Sequence, residues 1–179
     1  MVSPNTATEM EIWEWLKEVP DPEIPVLSII DLGIVRGVQC GPQKGAARIT
    51  ITPTYSGCPA MVVIGEEIRA TMKRHGVDDL VLETALSPAW TTDWMSEDAK
   101  ERLREYGVAP PPSRLVTIAG VEARKLLVEV DSDDSGVLIA CPRCGSTQTA
   151  LISRYGSTAC KALYKCKSCL EPFDAFKCH

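Results

Sequence analysis

Histidine is nearly absent from this chain: His75 and the terminal His179 are the two it has in 179 residues. A Ser-His-Asp arrangement cannot be argued from so few, and nothing close in sequence pairs with His75, which is expected to tip a helix C-terminus. No apolar run approaches the length of a membrane span. The opening Met-Val-Ser-Pro-Asn-Thr-Ala-Thr-Glu has neither a basic n-region nor an apolar h-region, so no secretory leader is expected. A reducing cytoplasm follows, where thiols serve metals or chemistry more readily than disulfides. Internal repeats and low-complexity tracts are missing too, and a 45% hydrophobic fraction excludes wholesale disorder. Gly156-Ser-Thr-Ala-Cys-Lys161 has the flavour of a phosphate loop but the wrong spacing.

What the chain does have is cysteine. Six of its eight lie at or beyond Cys141. Cys141-Pro-Arg-Cys144 and Cys166-Lys-Ser-Cys169 are separated by twenty-one residues, the grid of a four-thiolate metal ribbon. Each pair suits a tight knuckle that turns both sulfurs inward, and zinc is the natural occupant of a thiolate tetrahedron. Disulfides or unrelated buried cysteines are the bland alternatives. A closed site of this kind holds a fold and catalyses nothing. Cys160, Cys178 and His179 could supply further ligands, a second site or free thiols; a four-cysteine zinc ion is preferred to any set that includes them.

Charge is split along the chain. Residues 141–179 carry Arg143, Arg154, Lys161, Lys165, Lys167 and Lys177 against Glu171 and Asp174, a formal +4, which leaves −9 for residues 1–140 of the total −5. Zinc with four thiolates contributes −2 and lowers the tail to about +2. That is too little for phosphate-backbone binding on an otherwise acidic body, so no nucleic acid is expected and protein docking fits better.

The pattern predicts an α+β chain in two parts. Thr8-x-x-Glu11 reads as a capping box before a helix with Ile12, Trp15, Leu16 and Val19 on one face, ended by Pro20. Asp21-Pro-Glu-Ile-Pro25 must be a shaped loop, and Leu27–Gly33 a short turn of helix. A hairpin follows, with strands over Ile34–Cys40 and Ala46–Pro53, then a helix over Ala60–His75 and a third strand over Asp79–Leu86. Ser87–Met95 is a loop, and Ser96 caps a charged helix to Tyr106. Val108-Ala-Pro-Pro-Pro-Ser113 is the best linker, dividing domains 1–109 and 113–179. Leu115–Val121 and Leu126–Val130 are predicted strands leading into the ribbon.

Cys58 is the sharpest single residue. It stands between Gly57 and Pro59, ahead of the second helix, with Pro59 suited to its first position. Free amides and the positive helix end are expected to lower its pKa and favour thiolate, able to ligate iron or act as a nucleophile. A small buried cysteine filling a loop is the alternative. Asp21 and Glu23 could be cation ligands, but such a pair more often solvates or caps a loop. Trp90 and Trp94 form either a recognition surface or core packing against the second helix.

The segments Asp21-Pro-Glu-Ile-Pro-Val-Leu-Ser-Ile-Ile-Asp-Leu-Gly-Ile-Val35 and Thr52-Pro-Thr-Tyr-Ser-Gly-Cys-Pro59 resemble the SufT-like domain of iron–sulfur assembly factors over roughly residues 10–106. The tail from Gly156 to His179 is similar to that of the PaaD (also PaaJ) family, associated with the phenylacetyl-CoA epoxidase of aerobic phenylacetate degradation. The resemblance implies a small SufT-like α/β domain followed by a β-rich zinc ribbon. It implies a helper without catalysis of its own, beside a diiron oxygenase and a reductase carrying flavin and an iron–sulfur cluster. Cys58 would be the cluster-related thiol, Asp21 and Glu23 would shape its loop, and Cys141, Cys144, Cys166 and Cys169 would hold one zinc ion. Any iron–sulfur cluster would be transient: one thiolate cannot hold a cluster that needs four ligands, which leaves a homodimer, small thiols or a partner subunit to complete the set.

Overall fold

The computed structural model describes residues 7–41, 43, 45–111 and 139–177. The expected strands Leu115–Val121 and Leu126–Val130, and the candidate ligands Cys178 and His179, lie outside these residues. The chain is α+β and divides into two compact units, Met1–Ala99 and Lys100–Cys178. No helix among the described residues is long and apolar enough to cross a membrane.

The first unit opens on α1 (Glu9–Leu16), where the expected capping box forms: the Thr8 side chain accepts from the Glu11 amide while Glu11 reaches back to the Thr8 amide. Ile12 and Leu16 are buried, which sets the face the helix turns inward. β1 (Val35–Cys40) and β2 (Ala46–Ile51) form an antiparallel hairpin with an irregularity between Val35 and Gly37. α2 (Ala60–Arg74) then carries the chain across to β3 (Asp79–Thr84), which pairs parallel to β2, giving the order β1-β2-β3. The alternation in β2 sends Ala47, Ile49 and Ile51 inward and leaves Arg48 exposed. Ile64, Ile68 and Met72 of α2 complete that core.

Within residues 27–33, read as a helical turn in the sequence, residues 29–33 form turns, and the Leu32 amide bonds to the Ser28 carbonyl at 3.1 Å, the i→i−4 bond of a single helical turn. Gly33 adopts φ +65°, and a Cβ there would stand 2.6 Å from the Trp94 Cβ, so only glycine fits. Trp90 donates its indole N–H to the Leu32 carbonyl at 2.8 Å, and the Arg36 guanidinium lies 3.4 Å from the centre of the Trp94 ring. Both tryptophans thus fasten the 90–95 segment to the turns before β1. Trp90 is buried, as core packing rather than a recognition surface requires.

Ser96 Oγ accepts from the Ala99 amide at the start of α3 (Glu97–Tyr106). The second unit is a four-stranded sheet ordered β4-β7-β6-β5, from β4 (Val108–Ala109), β5 (Thr149–Ser153), β6 (Lys161–Cys166) and β7 (Pro172–Phe176). Val108 and Ala109 are both buried, with β4 paired parallel to β7. These two residues therefore belong to a sheet, although their sequence reads as the start of a linker. Among the described residues, the core cluster around the ribbon cysteines is small: Ala109, Ile139, Cys141, Ala162, Tyr164, Cys166, Phe173 and Ala175.

Candidate metal centre and thiol site

The four ribbon cysteines converge. The sulfurs of Cys141, Cys144, Cys166 and Cys169 all lie within 4.8 Å of one another. Cys141 and Cys169 are separated by 3.8 Å and Cys144 and Cys166 by 3.6 Å. A tetrahedron with zinc–sulfur bonds of about 2.3 Å has edges of about 3.8 Å, so these two pairs already stand at the spacing zinc requires and the donor set fits the ion.

Local backbone makes each knuckle. In the first, Cys141 accepts from the Gly145 amide and donates its own amide to Ser146, both at 2.9 Å; in the second, the Cys166 amide donates to Glu171 at 2.9 Å. The residue after each pair is left-handed: Gly145 at φ +72° and Leu170 at φ +66°. Glycine takes that conformation freely; leucine takes it at a cost. The Cys169 amide, aided by that of Ser168, holds the Cys166 thiol down to about 6, an environment suited to a metal-bound thiolate.

Cys160 does not join this group. Its sulfur is buried 3.0 Å from Thr158 Oγ1, and its carbonyl accepts from the Lys177 amide. The register explains why. Thr149 pairs with Cys166 at the metal end of the β5–β6 hairpin, whereas Cys160 precedes Lys161 at the opposite end, where Lys161 pairs with Phe176.

Cys58 sits in the first unit at the mouth of α2, half-buried. Pro59 is the residue before the helix, one position earlier than its sequence predicts, and it provides no side-chain cap. The Cys58 amide donates to the Tyr55 carbonyl at 3.1 Å. The expectation of a lowered pKa is overturned. Burial pushes the thiol up, the Ala60 amide and Thr54 hydroxyl oppose this, and the carboxylates of Glu23 and Asp21 add to the rise. The Ala60 amide at the helix start does reach the sulfur, but it is outweighed, so Cys58 rests as a thiol at neutral pH. Thr54, buried beside it, is a site residue that the sequence pattern did not single out; a hydroxyl four positions before the cysteine in a proline-bounded loop was the available signal.

The carboxylates that act on Cys58 belong to the Asp21–Glu23 loop. Asp21 Oδ1 accepts from the amides of Glu23 (2.9 Å) and Ile24 (2.8 Å), while its own amide donates to Leu27. It is buried, and these bonds make it the residue that shapes the loop. A second carboxylate motif follows: Asp31 Oδ2 accepts from both the amide and hydroxyl of Ser28. His75 lies at the far end of α2, stacked on Trp15 with ring centres 4.4 Å apart and its Nε2 3.0 Å from a Glu18 oxygen. The partners that its sequence neighbourhood lacks come from α1 and the turn after it.

These features define a two-part protein, a small α/β module joined to a four-cysteine metal ribbon. A family described as "Iron-sulfur cluster assembly protein" matches residues 9–79, and one described as "PaaD zinc beta ribbon domain" matches residues 128–177. The chain is 50% identical over 169 residues to a protein of Escherichia coli (strain K12) that is provisionally named as a subunit of 1,2-phenylacetyl-CoA epoxidase, covering 94% of this chain and 92% of that one. The chain belongs to this family of epoxidase subunits, the PaaD family. Its first half is also similar to an Fe-S protein maturation auxiliary factor of Porphyromonas gingivalis, at 38% identity over 51% of this chain and 87% of that protein. Another relative is the Fe-S protein maturation auxiliary factor YitW of Bacillus subtilis, at 37% identity over 48% of this chain and 82% of that protein.

Proposed function

We propose that this protein is a non-catalytic accessory subunit of a phenylacetyl-CoA epoxidase, serving ring 1,2-epoxidation in the cytoplasm by helping its reductase component acquire an iron–sulfur cluster. The observation that carries the reading is the half-buried Cys58 sulfur, flanked by the Ala60 amide and the Thr54 hydroxyl, in the half of the chain that is similar to maturation factors.

The chemistry is ligand exchange. A cluster iron releases one of its thiolates and bonds the Cys58 sulfur, whose proton passes to the departing thiolate; no electron moves. A resting thiol facing carboxylates is poorly nucleophilic toward carbon, which disfavours a thiol enzyme. A cationic iron reverses that balance by pairing with the sulfur and neutralising the field of Glu23 and Asp21. A single thiolate among the four a cluster needs keeps the residence brief, with a second copy or small thiols completing the set. The ribbon, holding zinc through Cys141, Cys144, Cys166 and Cys169, is a folded platform in the 113–179 domain.

The test is the reductase itself, purified anaerobically from cells that express it with or without this protein. Iron and acid-labile sulfide per polypeptide should fall when the protein is absent. Equal contents would sink the reading and leave a stoichiometric bridge between oxygenase and reductase, which the charged ribbon also supports.

A further inference from the structure

The cations of the ribbon are not spread evenly. The metal end holds Arg143, Lys165 and Lys167 against Glu171 and the −2 of a zinc ion with four thiolates, and is close to neutral. Among the described residues, the opposite end holds Arg154, Lys161 and Lys177 against Asp174, and is positive. Lys161 is buried there, its ammonium donating to Ser157 Oγ, which in turn donates to Asp174. Arg154 and Lys177 are left at the surface side of this end, and neither has an ion-pair partner among the described residues.

Apolar groups are exposed at the same place. The irregularity in β5 lies between Leu151 and Ser153, so Ile152 has no cross-strand partner and stands 54% exposed. Tyr155 is 74% exposed. Lys177 fixes both ends of this patch: its ammonium donates to the Arg154 carbonyl at 3.3 Å and lies 5.2 Å from the centre of the Tyr155 ring. Tyr155 beside the Lys177 ammonium, with Ile152 exposed two positions before Arg154 and the nearby Asp174 carboxylate already bonded to Ser157, has the composition of a docking hot spot rather than of a solvating surface.

We propose that Ile152, Arg154, Tyr155 and Lys177 form the surface by which this protein docks on an acidic partner protein, one that rims an apolar pocket for Tyr155 with carboxylates. The partner sought is another subunit of the epoxidase, so the assignment rests on the accessory-subunit reading above, though not on cluster handling. The positive end faces away from the metal, which leaves the knuckles free of the interface.

The experiment titrates the full-length, zinc-loaded protein with each purified oxygenase and reductase subunit at low and at moderate salt. One subunit should bind, more weakly as salt rises. Tyr155→Ala and the pair Arg154→Glu, Lys177→Glu should each weaken it by about tenfold or more, with zinc content unchanged, and Lys177→Arg should bind as the parent does. Variants that bind as well as the parent would overturn the docking surface alone. No binding by the parent to any subunit would overturn the accessory reading along with it. Self-association or RNA binding that these substitutions abolish would name a different occupant and overturn the assignment.

Discussion

Loss of the metal should unfold one unit and leave the other standing. Among the described residues, the core cluster around the metal ligands holds eight buried residues, three of them alanine and two of them zinc ligands. A core of that size cannot offset the conformational entropy of its strands. Structural zinc in small ribbons contributes on the order of 10–16 kcal/mol, comparable to or above the whole stability of an ordinary domain. Cys166→Ser removes the ligand that is fully buried and held by the Cys169 amide, and should forfeit most of that contribution. The first unit keeps Ile12, Leu16, Ile49, Ile64, Ile68 and Met72, all nearly inaccessible. Optical reporters separate the two: Trp13, Trp15, Trp90 and Trp94 all precede Lys100, whereas Tyr155 and Tyr164 lie in the ribbon. Cys166→Ser, or treatment of the parent with a strong chelator, should abolish zinc binding and the near-ultraviolet signal of the ribbon tyrosines, while tryptophan emission still shows a cooperative thermal transition. A Cys166→Ser protein with an intact ribbon signal would refute the reasoning that metal rather than core holds this unit.

Other expectations concern the first unit. Cys58 should be alkylated slowly at neutral pH, its rate rising through a midpoint above the usual free-thiol value of about 8.5, because burial and nearby carboxylates favour the protonated form. Glu23→Gln should move that midpoint down, since it removes a negative charge that opposes thiolate. Asp21→Ala, which deprives two amides of their acceptor, should cost about 1–3 kcal/mol in denaturant unfolding, with Glu23→Ala costing much less. Gly33→Ala should cost about 1–3 kcal/mol from the left-handed backbone and more from the clash with Trp94, and Trp94 emission should shift with it.

The sequence made legible what neighbouring residues decide. The capping box of α1, the amphipathic run of α2 and the Cys-x-x-Cys knuckles depend on spacings of two to four residues, and each stands where it was expected. The hairpin was readable because alternation in β2 and the glycines after β1 agree. What stayed hidden depends on residues distant in sequence. Val108-Ala109 look like a linker until β7 supplies their partner strand. The Cys58 thiol looked activated because the helix amides lie next to it in sequence; the opposing carboxylates come from a loop more than thirty positions earlier. His75 looked isolated for the same reason, its ring partner being Trp15.

Whether the Cys58 sulfur hands on cluster iron is tested most directly by mixing an anaerobically reconstituted cluster donor with apo-reductase and following cluster absorbance on the reductase, with the parent protein or with Cys58→Ser added at equal zinc content. Faster transfer with the parent, lost in Cys58→Ser, is the expected result. Identical rates with both proteins would contradict the account.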